Sequence, residues 1–280
     1  MSTTVFGAVL LAALLHATWN AMAKSGLDKD VSMAGVILGH VPYAALALLF
    51  VPAPAPESWP WLALGMAFHF GYQIFLIESY RIGDLTQVYP IARGSAPLIV
   101  AVVSVGLLGV TLAPLEALGV AVIVAGLLSL GLVRGGLGGG RASLLALVTG
   151  CFIAGYSLAD GTGARAAGTA VGFYAWLAIA NAVVFAAYLR LFRPGVLRRV
   201  PREGGRVLVV GGFASWAAYS LVVWAFTQAP IALVTALRET SIVFALLIGV
   251  GLMGERLDLR KLLSTFLVLV GAALLRLGRS

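Results

Sequence analysis

The chain has 280 residues, of which 61% are hydrophobic and 11% are charged. Soluble domains have roughly 45–50% apolar and about 25% charged residues, so this composition, with a mean hydropathy of +1.01, excludes a soluble globular protein. The net charge of +8 is also compatible with nucleic-acid binding. Basic residues in a membrane protein usually mark cytoplasmic loops, however, and we predict no nucleic-acid partner.

Apolar segments follow one another along the chain, each near the roughly 20 residues that a helix needs to cross a bilayer. We predict an all-α integral membrane protein with ten transmembrane helices, the first retained and not cleaved as a signal peptide. The predicted spans are 4–23, 31–51, 59–80, 86–108, 113–133, 142–160, 169–191, 206–226, 230–252 and 257–276.

Three spans carry a polar and aromatic face on an otherwise apolar helix. Side chains three or four residues apart share one face of a helix, and we predict that these faces line a cavity. Simple packing is the alternative for the aromatic residues. The predicted lining residues are His16, Trp19 and Asn20 in span 1, Tyr72, Gln73 and Tyr80 in span 3, and Trp216 and Tyr219 in span 8.

Other polar residues receive a structural interpretation. His40 and His69 are interpreted as packing residues. Glu78 and Asp160 lie near the ends of their predicted spans, so each is either a solvated boundary charge or a residue at a cavity mouth.

Two arginines lie inside predicted spans, Arg93 in "YPIARGSAP" and Arg238 in "TALRETSIVF". Each is about eight residues into its span, near mid-depth of the hydrocarbon core. A charge there costs about 2.5–3.5 kcal/mol on insertion scales, so both side chains should point into the bundle. We predict that both bind an anionic group such as a carboxylate, with Tyr89 and Glu239 in the same site. An interhelical clamp between arginine and Glu239 is the alternative.

An internal repeat relates the two arginines. A shift of 145 residues aligns 81–112 with 226–257 without gaps and superimposes Arg93 on Arg238. A second shift, of 137 residues, pairs span 1 with span 6 and adds Tyr156 to the predicted site.

The repeat predicts two five-helix halves, residues 1–133 and 142–280, joined by a glycine-rich linker at 134–141. Since five is odd, the second half must enter the membrane in the opposite orientation to the first. Inverted repeats of this kind bind their substrates near the midplane, where the halves meet.

The loop charges bear on orientation. Of the 19 Lys and Arg residues, fourteen lie in the connections on one side of the membrane and three lie on the other. Because basic loops are usually cytoplasmic, we expect both termini outside the cytoplasm, in the plasma (bacterial inner) membrane.

Motifs of enzymes and cofactor sites fail on context. "GVGLMG" (249–254) fits a dinucleotide-binding pattern but ends an apolar span, and no nucleophile, Walker or metal-ligand motif is present in the sequence. We predict no catalytic residue, no cofactor and no metal site.

Three segments resemble the EamA branch of the drug/metabolite transporter superfamily: "LLHATWNAMAKSG" (14–26), "YPIARGSAPLIVA" (89–101) and "GERL" (254–257). The resemblance covers essentially the whole chain, and it is closest to bacterial exporters of amino acids, including aromatic ones. It implies an alternating-access carrier with a site lined by helices 1, 3, 4, 6, 8 and 9. A glutamate that the family often has in both halves is present as Glu255 but is replaced by Val110 in the first half.

We therefore predict a secondary transporter that exports amino acids or related small metabolites, as a monomer or homodimer. Glu239 or His16 is a candidate carrier of a coupled proton. One alternative is a transporter of phosphate-bearing or nucleotide-sugar-like metabolites, and another is an intramembrane enzyme using Ser and His.

Overall fold

The computed structural model describes residues 1–26, 28–82, 85–133, 140–252, 254 and 259–278. Within them every regular element is a helix. The α-helices are α1 Thr3–Ser25, α2 Lys29–Leu38, α3 His40–Leu48, α4 Trp59–Ile82, α5 Leu85–Gly106, α6 Pro114–Val133, α7 Gly140–Ala166, α8 Ala170–Phe192, α9 Val196–Glu203, α10 Gly212–Gln228, α11 Ile231–Arg238, α12 Ser241–Gly251 and α13 Leu259–Leu277. A short 3₁₀ turn, Pro56–Ser58, precedes α4, and a π-helical turn, Val207–Gly211, precedes α10.

Seven helical stretches among the described residues are long and apolar enough to cross a membrane. Helices α5 and α6 contain shorter apolar stretches, Pro90–Gly106 and Pro114–Ser129. The seven stretches are Thr3–Lys24, Lys29–Leu48, Pro56–Ser79, Gly140–Ala166, Ala170–Phe192, Val207–Gln228 and Ile231–Gly251. The prediction of an all-helical, multi-pass membrane protein is confirmed.

The second span is interrupted at Gly39, between α2 and α3. This glycine packs directly against the π-helical turn before α10, where a Cβ atom would clash with the Leu208 carbonyl oxygen and lie 2.9 Å from the Gly212 Cα. A glycine at this position therefore allows two helices to approach at backbone distance.

Contacts between connections define the two ends of the bundle. At one end, Arg199 of α9 forms an ion pair with Asp28 at 2.7 Å, and Arg193 reaches Glu78 at 3.4 Å. At the opposite end, Arg276 donates to the Thr3 hydroxyl at 2.9 Å, so the start of α1 and the end of α13 lie together.

Helices α6 and α13 pack against each other through small residues. The Ser264 hydroxyl of α13 donates to the Gly126 carbonyl of α6 at 2.6 Å. Nearer the end of α13, Gly271 lies against Gly119 and Ile123 of α6. This pair forms one side of the largest hydrophobic core, to which α1, α10 and α11 also contribute.

Candidate functional site

A cavity of about 80 Å³ lies inside the bundle, and residues from α1, α2, α3, α4, α7, α8, α10 and α11 form its wall. Rings and short apolar side chains make up most of the lining, and polar groups are distributed among them. Seven of the residues predicted from the sequence belong to this lining, namely His16, Trp19, Tyr72, Gln73, Tyr156, Tyr219 and Arg238.

The stretch that carries Arg238 is a helix interruption. Helix α11 ends at Arg238 and α12 begins at Ser241. Across the junction the Glu239 and Thr240 amides bond to carbonyls three residues back, both at 3.0 Å, instead of four. Such a tightened 3₁₀ turn within a span changes the direction in which successive side chains project. Two adjacent charges thereby reach different neighbours.

Glu239 binds the other mid-span arginine. Its carboxylate accepts from Arg93 Nε at 2.8 Å, across the contact between α5 and the α11–α12 junction, and Arg93 Nη2 also reaches the Ser241 hydroxyl at 3.4 Å. Arg93 and Glu239 are 5% and 1% exposed. The structure thus contains the interhelical arginine–glutamate clamp that was one of the two sequence interpretations.

Arg238 has a different environment. It is 2% exposed, and its Nε and Nη2 atoms have no hydrogen-bond partner within the described part of the chain. The Glu239 carboxylate is 4.0 Å from Nε, beyond hydrogen-bond distance. The guanidinium lies 5.9 Å from the ring centres of both Tyr156 and Tyr219, within the range of cation–π attraction. A cation with unused donors therefore faces the cavity.

Glu239 compensates the charge of Arg238 only at a distance, because its carboxylate is hydrogen-bonded to Arg93 and lies 4.0 Å from Arg238 Nε. An anionic group that enters the cavity would supply acceptors for the Arg238 donors, and charge-assisted hydrogen bonds of this kind are stronger than neutral ones.

A second polar network adjoins the same two tyrosines. His69 Nε2 is 2.7 Å from Asp160 Oδ2, and the Tyr219 hydroxyl donates to the same oxygen at 2.7 Å. The Tyr156 ring stacks on the His69 ring, with centroids 4.1 Å apart. The two tyrosines therefore adjoin both Arg238 and the His69–Asp160 pair.

Predicted site residues outside the lining have local or structural contacts. Asn20 donates to the His16 carbonyl at 2.7 Å. Trp216 packs against a core cluster formed mainly by α7 and α8, and its ring centre lies 6.4 Å from that of Tyr43. Tyr80 and Tyr89 lie outside the described side chains.

Sequence reasoning missed part of the site. His69 was interpreted as a packing residue, yet it lines the cavity, and Asp160 is fully buried and not at a solvated boundary. A single carboxylate in an apolar segment was the available signal, because intramembrane acids ordinarily mark functional sites. Asn181 and Tyr174 of α8 also line the cavity and had no distinguishing pattern.

Within the described residues, no group of three or more His, Cys, Asp or Glu side chains is arranged to hold a metal ion. Glu255 and most of the predicted linker, 134–139, lie outside the described residues, and α7 begins at Gly140.

Comparison with known families identifies the fold type. The model of the EamA-like transporter family matches residues 141–277. This segment belongs to the EamA branch of the drug/metabolite transporter superfamily. EamA-like proteins are membrane transporters, so this chain is a multi-pass membrane protein that carries a small solute.

A crystal structure of another protein supports the same fold over the whole EamA-type chain. It superimposes with a TM-score of 0.74 and 22% sequence identity, covering 98% of this chain and 96% of that one. At this identity the likeness concerns the fold alone. No curated protein matches the sequence.

Proposed function

We propose that the protein is a secondary transporter of the plasma (bacterial inner) membrane that exports amino acids or related small metabolites. It works by alternating access around the cavity. Its moving parts are two inverted five-helix repeats, 1–133 and 142–280, joined at 134–141. The observation that carries this proposal is the Arg238 guanidinium in the cavity wall, whose Nε and Nη2 atoms have no hydrogen-bond partner in the described residues.

Equivalent positions of the two repeats have equivalent geometry. Gly109 and Gly254, which the 145-residue shift superimposes, both have a left-handed backbone, with φ of 65° and 66°. Gly126 and Gly271 are related by the same shift, and each packs on the helix that carries the other. Reciprocal contacts of this kind support a pseudo-two-fold relation between the halves.

The charge of Arg238 favours a carboxylate substrate. A guanidinium presents parallel donors that match the two oxygens of a carboxylate, and charge-assisted bonds of this type are about twice as strong as neutral ones. Arg238 still has two of its donor atoms without partners, whereas the Arg93 Nε donor is used by Glu239. Only one arginine is therefore proposed to contact substrate.

Acceptors elsewhere in the wall suit the amino end of a zwitterion. Gln73 Oε1 and Asn181 Oδ1 are buried and have no partner in the described residues. An ammonium group can donate to such amide oxygens while the faces of Tyr156 and Tyr219 stabilise its charge. Unused donors and unused acceptors in one lining indicate a substrate that carries both charges.

The size of the cavity favours a small substrate. A buried water occupies roughly 10–15 Å³ of cavity volume, so a cavity of about 80 Å³ holds several waters or one compact metabolite. A nucleotide sugar would require a wider cavity and further cations, and the second mid-span arginine is already neutralised.

Counterflow in liposomes tests the proposal. Purified protein is reconstituted, the liposomes are loaded with unlabelled L-alanine, L-phenylalanine, L-glutamate or L-lysine, and uptake of the labelled counterpart is followed. We expect exchange of neutral or aromatic amino acids that is lost in Arg238→Gln. Exchange of none of the four would contradict the amino-acid assignment and favour a phosphate-bearing metabolite.

A further inference from the structure

The His69–Asp160 pair is a buried acid–base pair that the binding of a carboxylate does not use. Asp160 is on α7 and is completely inaccessible to solvent, and His69 is on α4, with 13% of its side chain exposed. Their 2.7 Å contact crosses one of the most extensive helix interfaces in the molecule. A carboxylate and an imidazole at this distance can share a proton between them.

Among the described residues, only one of the two carboxylate oxygens of Asp160 has hydrogen-bond partners. Oδ2 interacts with both His69 and Tyr219, whereas Oδ1 is buried without a partner in the described residues. Gly65 provides the space for Oδ1, since a Cβ atom at that position would overlap it. The carboxylate thus has an oxygen that is free to take part in a change of protonation.

The pair communicates with the cavity through aromatic rings. The Tyr156 ring stacks on His69 with centroids 4.1 Å apart, and the Tyr219 ring is nearly perpendicular to the imidazole with centroids 5.4 Å apart. Arg238 lies 5.9 Å from the centres of both tyrosine rings. His69 and Arg238 line the same cavity, so a substrate bound to Arg238 shares the cavity with the imidazole.

Other titratable and charged groups around His69 are accounted for. Tyr174 of α8 contacts the Tyr219 ring at 4.9 Å. His40 and His16 line the same cavity from α3 and α1. Neither of these histidines forms an ion pair in the described part of the chain, and Glu239 is already bonded to Arg93. His69 is the cavity histidine that has a carboxylate partner.

We propose that His69 and Asp160 hold the proton that drives export, and that the amino group of the substrate competes with this proton. This inference rests on the proposed transport of an amino acid. When His69 is protonated, its charge compensates that of Asp160 and the pair no longer attracts an ammonium group. When the substrate binds, its ammonium group takes over the compensation of the carboxylate, and the imidazole releases its proton.

The cycle balances in atoms and charge. One proton binds the imidazole nitrogen from one side of the membrane and leaves to the other side, and one zwitterion moves in the opposite direction. No covalent bond of the substrate changes. Each turnover moves one net positive charge inward during export, so a proton gradient and a membrane potential both drive it.

Two transport modes separate coupling from binding. Counterflow of L-alanine or L-phenylalanine, whichever the wild type exchanges faster, needs binding and reorientation only. Accumulation driven by an imposed pH gradient needs the proton site as well. For His69→Gln and Asp160→Asn we expect the ratio of gradient-driven accumulation to exchange to fall by about tenfold or more below the wild-type ratio. His40→Gln is the matched control, because it changes a cavity histidine that has no carboxylate partner in the described residues, and its ratio should stay near that of the wild type.

A measurement on the wild-type protein covers the case in which the variants do not fold. Addition of the same amino acid to detergent-purified protein between about pH 6 and about pH 8 should release roughly one proton per bound substrate, detected with a pH dye. Proton uptake or no change would overturn the inference.

The experiments distinguish failure of the proton site from failure of the proposed function. Wild-type exchange that no pH gradient can drive, or accumulation that persists in both variants, would refute the proton site while the proposed function stands. A wild type that exchanges none of the four amino acids would refute the proposed function itself.

Discussion

Arg93 and Arg238 occupy equivalent positions in the two halves of the sequence, yet their environments differ. Arg93 forms a hydrogen-bonded ion pair with Glu239, and Arg238 lies over two tyrosine rings with unused donors. The difference originates in one residue, because the position after Arg93 is Gly94 and the position after Arg238 is Glu239. A single acid therefore neutralises the arginine of the other half and leaves its own neighbour available for a ligand.

Removal of Glu239 should abolish this difference between the two arginines, and we expect it to have the largest effect on stability. Glu239→Gln removes the carboxylate that accepts from Arg93 Nε, and loss of one partner of a buried pair destabilises by about 3–5 kcal/mol. We expect a much lower unfolding temperature in detergent. The double variant Arg93→Met with Glu239→Gln removes both charges, so its unfolding temperature should lie nearer to that of the wild type. An unchanged temperature for Glu239→Gln alone would show that the clamp is not structural.

Removal of Arg238 should lower the affinity for the substrate without lowering the unfolding temperature. Arg238→Gln eliminates an unpartnered buried cation, so the unfolding temperature should not fall, while amino-acid affinity should drop by about 10- to 100-fold with the loss of charge-assisted bonds. Arg238→Lys should be intermediate, because a lysine retains the charge without the bidentate geometry. Competition in the counterflow assay measures the affinity. A variant that binds as tightly as the wild type would contradict the account.

Gly65→Ala tests the packing around the buried carboxylate of Asp160. Its Cβ would overlap Asp160 Oδ1 and lie 3.0 Å from Leu177 Cδ1. Overpacking of this kind costs about 1–3 kcal/mol. Gly7→Ala is the control, because a Cβ there meets nothing within 4 Å, and the better helix propensity of alanine should stabilise slightly. Equal unfolding temperatures for the two variants would argue against close packing at Asp160.

The ion pair between Arg199 and Asp28 provides an exposed counterpart to the buried clamp. Burial, the largest single effect, raises the pKa of Asp28, but hydrogen bonds from the Val31 amide and Arg199 outweigh it and lower the pKa below its ordinary value of 3.8. The folded state therefore favours the ionised form. Its stabilisation is present above about pH 3.8 and is lost as pH falls through the lowered pKa.

The expected effect of this pair is small. Solvent screening weakens an ion pair at the surface, so this pair contributes little to the free energy of unfolding. Thermal unfolding at pH values above and below this range should show a loss of stability in acid that is weaker in Asp28→Asn. Glu57→Gln, which changes an exposed carboxylate elsewhere, is the control. If Asp28→Asn lost stability in acid as steeply as the wild type, the role of Asp28 would be refuted.

Much of the fold could be predicted because bilayer thickness imposes a length on apolar segments. The predicted span 4–23 corresponds to α1 Thr3–Ser25, and 169–191 corresponds to α8 Ala170–Phe192. The interruptions at Gly39 and at Glu239–Thr240 were not predictable from hydropathy, because they depend on which backbone or side chain lies opposite.

Asp160 shows why part of the site was missed. The predicted span ended at this residue because the following sequence, "GTGARA", is not apolar. Helix α7 nevertheless continues to Ala166, since Gly161 packs against Ile231 and Gly163 packs against Phe173. The contact of Gly161 with Ile231 joins residues far apart in sequence, and the longer helix places Asp160 more than a turn from its end. The pairing of His69 with Asp160 follows from the same tertiary packing.

The most direct test of the central claim pairs a change in the protein with a change in the ligand. The affinity of an amino acid and of its carboxamide, L-phenylalanine with L-phenylalaninamide or L-alanine with L-alaninamide, is measured for the wild type, Arg238→Gln and the double variant Arg93→Met with Glu239→Gln. We predict that the wild type and the double variant discriminate against the amide by about tenfold or more and that Arg238→Gln does not discriminate. Discrimination that survives in Arg238→Gln, or that disappears in the double variant, would contradict the assignment of the carboxylate to Arg238.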